Sequence, residues 1–380
     1  MPILDRYIAR LYLTNVVALF VILFCFVVTI DVSLNVSRFA KAAEQAASLA
    51  AGQEITLTGL DQARGTAAAV IDLWWPRLLQ LYNFLLGTVL VVSAGFTCTQ
   101  LVRNREVVAM LAAGQSVWRV ARPVLGVAVF MTALAAANQE LVIPRLAPLL
   151  LRDHREAALP AAAAATVPLT SDAQGRLLRA ASFDPGANTL TGLRVWERGE
   201  NAIAERIIAA DRATWNGEAW ILENGVASTR VPEELGTQRP PLEPVARLES
   251  TLDPDELRLR LFKRYQQFLS IGQTREMLSR PELLGPEGVA RLERIQYGRI
   301  SVMLSSLLTL TIALPFFLPR QPKPPVLQAL KCAPISIAAL VGGVIGSSAA
   351  VPGLPPEISA FLPVIVLLPI AAAAATFVRS

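Results

Sequence analysis

The sequence is poor in charged residues. Only 17% of its 380 residues are Asp, Glu, Lys or Arg, whereas 53% are hydrophobic, and the mean hydropathy is +0.46. A soluble protein of this length rarely reaches such an average. The apolar residues are also collected in long blocks, which is typical of membrane-spanning segments. The net charge of +5 does not indicate nucleic-acid binding, because the basic residues flank apolar blocks and form no stripe.

Residues that could hold a metal are also scarce. The three cysteines, Cys25, Cys98 and Cys332, lie in or beside apolar blocks and form no Cys-x-x-Cys pair. They are therefore interpreted as small buried thiols. The single histidine, His154, has no second histidine with which to share a metal. The sequence predicts neither a metal site nor a redox centre.

Catalytic motifs are missing from the sequence as well. It contains no GxxxxGK(S/T) phosphate loop, no HExxH and no GxSxG. No apolar block carries an ionisable residue at its centre, where an ion-coupled carrier usually needs one. We therefore expect a chain that is not an enzyme and binds no cofactor itself. If it is a transporter, a partner subunit must supply the energy.

Six apolar segments are long enough to span a membrane, since about 20 residues at about 1.5 Å each cross the hydrocarbon core. No small-residue cleavage site follows the first segment, so we expect it to be retained. The predicted spans are residues 12–30, 78–102, 124–143, 300–318, 332–351 and 358–378.

The basic residues predict the orientation of these spans, because Arg and Lys collect in short cytoplasmic loops. With six alternating spans, the four segments in which basic residues collect all fall on one side, whereas the loop 351–357 on the other side has none. Both termini are therefore expected in the cytoplasm and the large insert after span three outside it. The basic residues of these four segments are Arg6, Arg10, Arg103, Arg105, Arg119, Arg122, Arg320, Lys323, Lys331 and Arg379.

The segment between spans one and two is predicted to be partly helical. Residues 40–51 are rich in alanine and are interpreted as a surface helix. Residues 71–77 (IDLWWPR) are interpreted as the start of a helix at the membrane interface. Trp74 and Trp75 fit the aromatic belt found at that depth.

The insert after span three has a different pattern, with short apolar runs separated by turn residues. Asn216-Gly217 and Asn224-Gly225 both lie between short apolar runs, which is a strong hairpin signal. Several closely spaced short strands predict a β-sandwich, jelly roll or open barrel. Residues 161–165 are interpreted as a linker, residues 275–293 as a charged helical stretch, and the Pro-rich residues 319–325 as a stiff turn.

The most informative stretch is the loop 103–123, RNREVVAMLAAGQSVWRVARP. Val107, Val108, Met110 and Leu111 are predicted to share one side of a short helix. Glu106 lies near its start, where a carboxylate is favoured by the helix dipole, and Gly114 ends it. Such a helix could dock into a groove on a partner or could simply lie at the interface.

This loop resembles the coupling region of the lipopolysaccharide-export permease family, the LptF/LptG type. The family pattern is roughly R-x-E-x-x-A-x-x-A-x-G followed by an aromatic residue and Arg, against RNREVVAMLAAG here. The opening ILDRYIAR, the exit from span three NQELVIPR, and ADRATW with WILENG in the insert also resemble the family. The resemblance covers nearly the whole chain. The Ala-rich segment after span one and the Ala- and Pro-rich linkers depart from it.

The resemblance implies roles for individual residues of the loop. Arg103, Arg105, Glu106 and Met110 would contact a cytoplasmic ATPase subunit of the LptB type, in the helix that Gly114 ends. That partner would bind ATP and Mg²⁺.

Other implied roles concern the lipid. Arg38 matches a basic family position that contacts lipid phosphates, although it could be an ordinary snorkelling residue. Spans one and five would form a lateral gate. Gly342, Gly343 and Gly346 in span five suit such a seam, and they equally suit static packing.

The expected fold is a membrane α-helical protein with six transmembrane helices and an inserted periplasmic all-β jelly-roll-like domain. Its parts would be residues 1–150 (spans one to three), 151–265 (the β domain) and 266–380 (a helical connector and spans four to six). The chain would reside in the inner membrane and extract lipopolysaccharide or a related glycolipid. Its expected partners are the ATPase, a second permease subunit (a copy or a sibling) and periplasmic jelly-roll bridge proteins. Two alternatives remain: a non-transporting scaffold whose β domain binds a periplasmic partner, and a lipid-modifying membrane enzyme.

Overall fold

A computed structural model gives the fold of most of the chain. It describes residues 3–53, 56–116, 118–150, 152, 154, 157, 167–184, 187–198, 204–229, 242–254, 256–257, 266–279, 281–318, 325–349, 351 and 353–379. The linker predicted at 161–165 and all but the last residue of the turn predicted at 319–325 lie outside these ranges.

The helices account for the apolar blocks of the sequence. Two of them contain a residue with non-helical torsions, Asn35 in α1 and Gly285 in α7. The helices of the described ranges are α1 Ile3–Ala51, α2 Gly59–Arg103, α3 Glu106–Ala112, α4 Trp118–Ala137, a π-helix Asn138–Val142, α5 Ile143–Leu150, α6 Ile271–Leu278, α7 Pro281–Phe317, α8 Pro325–Ser348 and α9 Pro356–Arg379.

Five helical stretches are long and apolar enough to cross a membrane: Ile3–Ala51, Gly59–Arg103, Trp118–Ala147, Leu284–Phe317 and Pro356–Thr376. They cover five of the six predicted spans, apart from residue 318 of the fourth and residues 377–378 of the sixth. The remaining predicted span, 332–351, falls largely in α8, whose apolar stretch Ser336–Gly346 is shorter. The prediction of a membrane protein built from long helices is confirmed.

The segment between the first two spans differs from the prediction. The surface helix expected at 40–51 is the end of α1, which continues past Asn35. The helix start expected at 71–77 is wrong, because α2 already begins at Gly59 and runs through Pro76. The interpretation of Trp74 as an interface anchor is also wrong. Its ring is buried and its indole nitrogen donates to Asp31 across 3.0 Å, whereas Trp75 is exposed.

The chain divides into two compact units. The first consists of Met1–Leu34, Trp74–Arg145 and Gln267–Ser380. Its main core is formed by apolar faces of α1, α2, α4 and α7, including Tyr12, Leu90 and Leu310. The Tyr12 hydroxyl donates to the carbonyl of Leu90 across 2.9 Å, so the polar tip of this buried ring is satisfied without water.

The second unit consists of Asn35–Leu73 and Leu146–Gln266 and contains an antiparallel sheet. The sheet has nine strands in the described ranges, in the order β1-β2-β4-β5-β6-β9, with β3 on β4, β7 on β5 and β8 on β7. The strands are β1 Val167–Ser171, β2 Leu177–Ala180, β3 Ser182–Asp184, β4 Thr189–Arg198, β5 Ala204–Trp215, β6 Trp220–Glu223, β7 Val226–Thr229, β8 Leu242–Pro244 and β9 Arg247–Leu248.

One face of the sheet carries the core of this unit. Leu178, Leu193, Ile208 and Trp220 are all buried there, as expected for strands that alternate inward apolar and outward polar residues. The Trp220 indole donates to the carbonyl of Leu252 across 2.8 Å. A separate β region is therefore confirmed.

The two Asn-Gly pairs have different outcomes. Asn216-Gly217 joins β5 and β6, which pair with Trp215 opposite Trp220, so that hairpin is confirmed. The hairpin expected at Asn224-Gly225 is wrong. Strands β6 and β7 do not pair with each other; they lie end to end along β5 in one register. Asn224 has φ +54°, and a Cβ on Gly225 would lie 2.1 Å from the carbonyl oxygen of Val245. The Asn-Gly pair therefore interrupts a strand at a close backbone approach.

Candidate functional site

The loop 103–114 forms a short helix fixed at both ends. Arg105 precedes α3 with a left-handed φ of +60°, a conformation that is uncommon for a residue with a side chain. At the other end Gly114 has φ +71°. The amide of Gly114 donates to the carbonyl of Leu111, and the amide of Gln115 donates to that of Met110. This is the Schellman arrangement that ends a helix, so the predicted role of Gly114 as a helix end is confirmed.

One side of α3 packs into the first unit. Val107 is buried in the main core, and Met110 and Leu111 pack against it. The expectation that Val108 shares this side is wrong, because its side chain is 52% exposed. Met110 is half-buried, so it holds the helix in place and presents only part of its surface to solvent.

The opposite side of α3 is open to solvent. Arg103 and Arg105 are exposed at its start, and its outer side consists of small or apolar residues. These exposed residues are Val108, Ala109, Ala112 and Ala113. A compact apolar surface beside two arginines is suited to a shallow groove on another protein.

Glu106 is held by two side chains. Its Oε1 accepts a hydrogen bond from the Tyr7 hydroxyl across 3.1 Å and from Nδ2 of Asn104 across 3.2 Å. As the first residue of α3 it also lies at the positive end of the helix dipole. Sequence reasoning singled out Glu106 but missed Tyr7, which lies within the ILDRYIAR segment.

A second contact ties the start of α1 to the end of the same loop. Nε of Arg119 lies 3.8 Å from Oδ1 of Asp5, and its Nη1 donates to Gln115 across 2.7 Å. Asp5 and Tyr7 therefore contact opposite ends of the 103–123 loop.

The three glycines of α8 have different surroundings. A Cβ on Gly346 would lie 2.7 Å from Cγ of Pro363 in α9, and one on Gly343 would lie 3.2 Å from Cβ of Ser305 in α7. A Cβ on Gly342 would meet nothing within 4 Å. The structure thus places Gly343 and Gly346 in tight contacts with α7 and α9 and leaves Gly342 facing open space.

Sequence reasoning missed a fourth glycine in this region. A Cβ on Gly87 of α2 would lie 2.6 Å from Oγ of Ser306 and 2.8 Å from Cδ2 of Leu340. Gly87 therefore lets α2 approach both α7 and α8. Its only sequence signal was a small residue inside an apolar run, which does not distinguish close packing from random occurrence.

Arg38 lies in the later part of α1, within the second unit. Its side chain is exposed. The preceding Leu34 and Val36 are exposed too, at 78% and 54%. A cation beside exposed apolar side chains is the arrangement expected of a residue at the level of lipid headgroups.

A polar network lies at the π-helix that joins α4 to α5, and the sequence did not predict it. Asn138 donates to the carbonyl of Leu79 and to Asn83, and Gln139 accepts from Asn83. The next residue, Glu140, accepts the backbone amide of Ile271 across 2.7 Å. The π-helical turn brings Asn138 and Gln139 to partners on α2 and Glu140 to a partner on α6.

Arg299 of α7 completes this arrangement. Its guanidinium donates to the carbonyls of Leu269 and Gln267, the latter across 2.8 Å. Glu140 thus binds the start of α6 and Arg299 binds the residues just before it, so the segment 267–271 is held from two sides.

Long apolar helices that carry a separate antiparallel sheet define the chain as a multi-pass membrane protein with a β domain. A family model described as the lipopolysaccharide export system permease LptF/LptG matches residues 60–377. The chain belongs to this family, whose members are permease components of a transporter. With its long apolar helices, this makes it a multi-pass protein of the inner membrane. A comparison with curated individual proteins gave no match.

Proposed function

We propose that the chain is the permease subunit of an ATP-driven lipid exporter. It extracts lipopolysaccharide or a related glycolipid from the outer leaflet of the inner membrane and passes it to a periplasmic bridge of β domains. In this proposal α8, whose apolar stretch is shorter, is the fifth of six spans, both termini are cytoplasmic, and the jelly-roll-like domain, residues 151–265, is periplasmic. A second permease subunit completes the cavity, and a cytoplasmic LptB-type ATPase binds the ATP and Mg²⁺ and hydrolyses the nucleotide.

The observation that carries this proposal is the two-sided character of α3. Its inner side is fixed by Val107 in the core, and its outer side, with Val108, is exposed. A helix that is rigidly held yet presents an apolar surface can receive a force from a partner and transmit it to the spans. The contacts of Asp5 and Tyr7 with this loop give a route to α1.

On the lipid side, Arg38 serves as a contact for anionic headgroup phosphates, supported by its exposure beside Leu34. Gly342, Gly343 and Gly346 belong to a lateral gate between spans one and five. The open space at Gly342 supports a seam at that position, whereas Gly343 and Gly346 adjoin helices α7 and α9.

The test of coupling compares two glutamates that each lie in the first turn of a helix. Glu106→Ala removes the carboxylate at the start of α3, and Glu357→Ala removes the one at the start of α9. The full-length protein is purified with its ATPase, and complex recovery and lipid release per ATP are measured. We expect Glu106→Ala to reduce release per ATP and Glu357→Ala to leave it unchanged. Unchanged assembly and release in Glu106→Ala would refute the coupling role.

The same purification decides between the exporter and the scaffold alternative. Recovery of a nucleotide-hydrolysing subunit supports the exporter, and its consistent absence supports a scaffold. For the lipid contact, Arg38→Glu should weaken photo-crosslinking of lipid at the seam between spans one and five. Unchanged crosslinking would count against that role of Arg38.

A further inference from the structure

The outer face of the β sheet carries an arginine pair directly across two strands. The register of β2 and β4 places Arg179 opposite Arg194, and both side chains are exposed. Their neighbours Leu178 and Val195 are buried in the core, so the two guanidinium groups leave the sheet on its outer side. Directly opposite residues have Cβ atoms about 4.5–5.5 Å apart, and like charges at that distance repel.

Three other arginines on or beside this sheet are paired with carboxylates, whereas Arg212 of β5 forms no ion pair within the described residues. Arg176 binds Asp172 and Glu197, Arg206 binds Glu197 and Glu243, and Arg247 binds Glu218 and Glu249. Within the ranges that the structure describes, neither Arg179 nor Arg194 forms an ion pair. Two adjacent cations that form no ion pair with a carboxylate are stabilised when an anion binds between them.

Next to this pair, one row of residues runs across several strands of the sheet and departs from regular strand geometry. The registers place Ala181, between β2 and β3, opposite Gly192. They place Gly192 opposite Asp211, and Asp211 opposite Asn224. Gly192 has φ +62°, and a Cβ there would lie 3.0 Å from that of Ala181. At two positions of this row beside the arginines, Ala181 and Gly192, the side chain is therefore a single methyl group or absent.

The result is a concavity of about 460 Å³ lined by both arginines and by this row. Its volume lies within the about 300–1,000 Å³ of typical small-molecule sites. Its floor has small apolar groups, including Ala209 and Val226. Asp211 is its carboxylate, and Nδ2 of Asn224 donates to that carboxylate across 3.0 Å.

We propose that this concavity binds a phosphate group, held between Arg179 and Arg194. The two guanidinium groups outnumber the single carboxylate of Asp211, and each offers the forked donors that suit phosphate oxygens. The volume exceeds what a lone phosphate fills, and the small apolar groups provide a surface for a sugar that carries it. The site is separate from the residues assigned to coupling, and its test requires neither ATP nor transport.

The experiment is calorimetric titration of the full-length protein in detergent with inorganic phosphate, with glucose 6-phosphate and with glucose. The double variant Arg179→Gln/Arg194→Gln is compared with Arg247→Gln, which removes one arginine paired with carboxylates on the same sheet. We expect the double variant to weaken phosphate-dependent binding at least about tenfold, and Arg247→Gln to retain it. No binding by the original protein, or equal losses in both variants, would overturn the proposal.

The probes also identify the source of the phosphate. Tighter binding of glucose 6-phosphate than of inorganic phosphate supports a phosphorylated headgroup, and equal binding supports free phosphate. Binding of glucose as tight as that of glucose 6-phosphate would overturn a phosphate site.

A third variant distinguishes loss of the binding site from misfolding as the cause of weaker binding in the double variant. Asp211→Asn removes the carboxylate of the concavity and keeps a side chain of the same shape. Because the repulsion between this carboxylate and the ligand is removed, we expect phosphate to bind several-fold more tightly. Disrupted folding does not produce such a gain. Unchanged or weaker binding in Asp211→Asn would contradict the proposal.

Discussion

The phenol of Tyr7 donates a hydrogen bond to the carboxylate of Glu106 across 3.1 Å, although the two residues are 99 positions apart in the sequence. The bond links the beginning of α1 to the first residue of α3. Because α3 also packs on the core through Val107, Met110 and Leu111, its position depends on this polar contact as well as on apolar packing.

Tyr7→Phe removes only the hydroxyl and should loosen the start of α3. Both side chains are partly exposed to water, so we expect a loss of about 0.5 kcal/mol. Hydrogen exchange of the α3 amides would then accelerate about two- to threefold. The control is Thr14→Val, which removes a hydroxyl bonded to the carbonyl of Arg10 in its own helix. Equal exchange in the two variants would show that the Tyr7 hydroxyl does not hold α3.

Glu140→Ala should release the beginning of α6. The carboxylate accepts the amide of Ile271 across 2.7 Å, and hydrogen bonds to charged groups contribute about 1.5–3 kcal/mol. Exchange of the Ile271 amide should therefore increase about tenfold or more. Glu276→Ala, at an exposed position in the same helix, should leave that amide protected. If Glu276→Ala has the same effect, the protection comes from the helix and not from Glu140.

Gly346→Ala should destabilise the protein, whereas Gly342→Ala in the same helix, α8, should not. An added methyl at Gly346 meets the ring of Pro363 at 2.7 Å, whereas one at Gly342 meets nothing within 4 Å. Overpacking of this kind typically destabilises a protein by about 1–3 kcal/mol. We expect thermal unfolding in detergent to show the loss for Gly346→Ala only. A loss in Gly342→Ala as large as that in Gly346→Ala would mean that another surface covers Gly342.

Gly225→Ala should destabilise the β domain more than Gly217→Ala. The new methyl would lie 2.1 Å from the backbone oxygen of Val245, whose own amide donates to the carbonyl of Gly225 across 2.9 Å. Gly217 has φ +106° and no neighbour within 4 Å, so alanine there adds only backbone strain. The rings of Trp215 and Trp220 lie 5.3 Å apart, and their fluorescence reports unfolding of the domain. Unfolding of both variants at the same denaturant concentration would disprove the steric argument.

Arg152→Gln should weaken the second unit through a largely buried ion pair. Nη1 of Arg152 lies 2.8 Å from Oδ2 of Asp72, with side chains 2% and 37% exposed. Breaking a buried pair costs about 3–5 kcal/mol, and the partial exposure of Asp72 indicates the low end of that range. Arg247→Gln, at an exposed ion pair, should cost less than about 1 kcal/mol. Equal shifts of the unfolding midpoint in Arg152→Gln and Arg247→Gln would show that the buried ion pair stabilises the protein no more than the exposed one.

The positions of most membrane spans and of one hairpin could be predicted from the sequence, because the length of an apolar run and the residues of a turn are local signals. The positions of the spans in α1, α2 and α7 follow from runs of uncharged residues, and the hairpin follows from the Asn216-Gly217 turn signal, in which Gly217 alone has a positive φ, +106°. The same local signal failed at Asn224-Gly225, because the partner that completes the structure there, Val245, is distant in the sequence. Similarly, the apolar pattern of α3 could not separate Val107 from Val108, which are adjacent and differ only in which surface the tertiary fold covers.

The candidate site was predicted in part for the same reason. Glu106 and Gly114 were evident from helix-end chemistry, which is local. The contact of Tyr7 with Glu106 and that of Gly346 with Pro363 could not be predicted. Each depends on how helices that are distant in the sequence pack together. An exposed tyrosine and a glycine in an apolar run are both common, and neither residue indicates from the sequence which residue it will contact.

The uninterrupted register of β5 across the break between β6 and β7 limits which insertions and deletions this domain tolerates. Arg212 faces Glu223, and Ala209 faces Val226, so the two residues between the short strands match two residues of β5. Loss of one residue there would turn the buried Ala227 outward and Ser228 inward, because side chains alternate with a period of two. Changes of two residues preserve this alternation. Among natural variants of the domain, length differences between β6 and β7 should therefore be even in number.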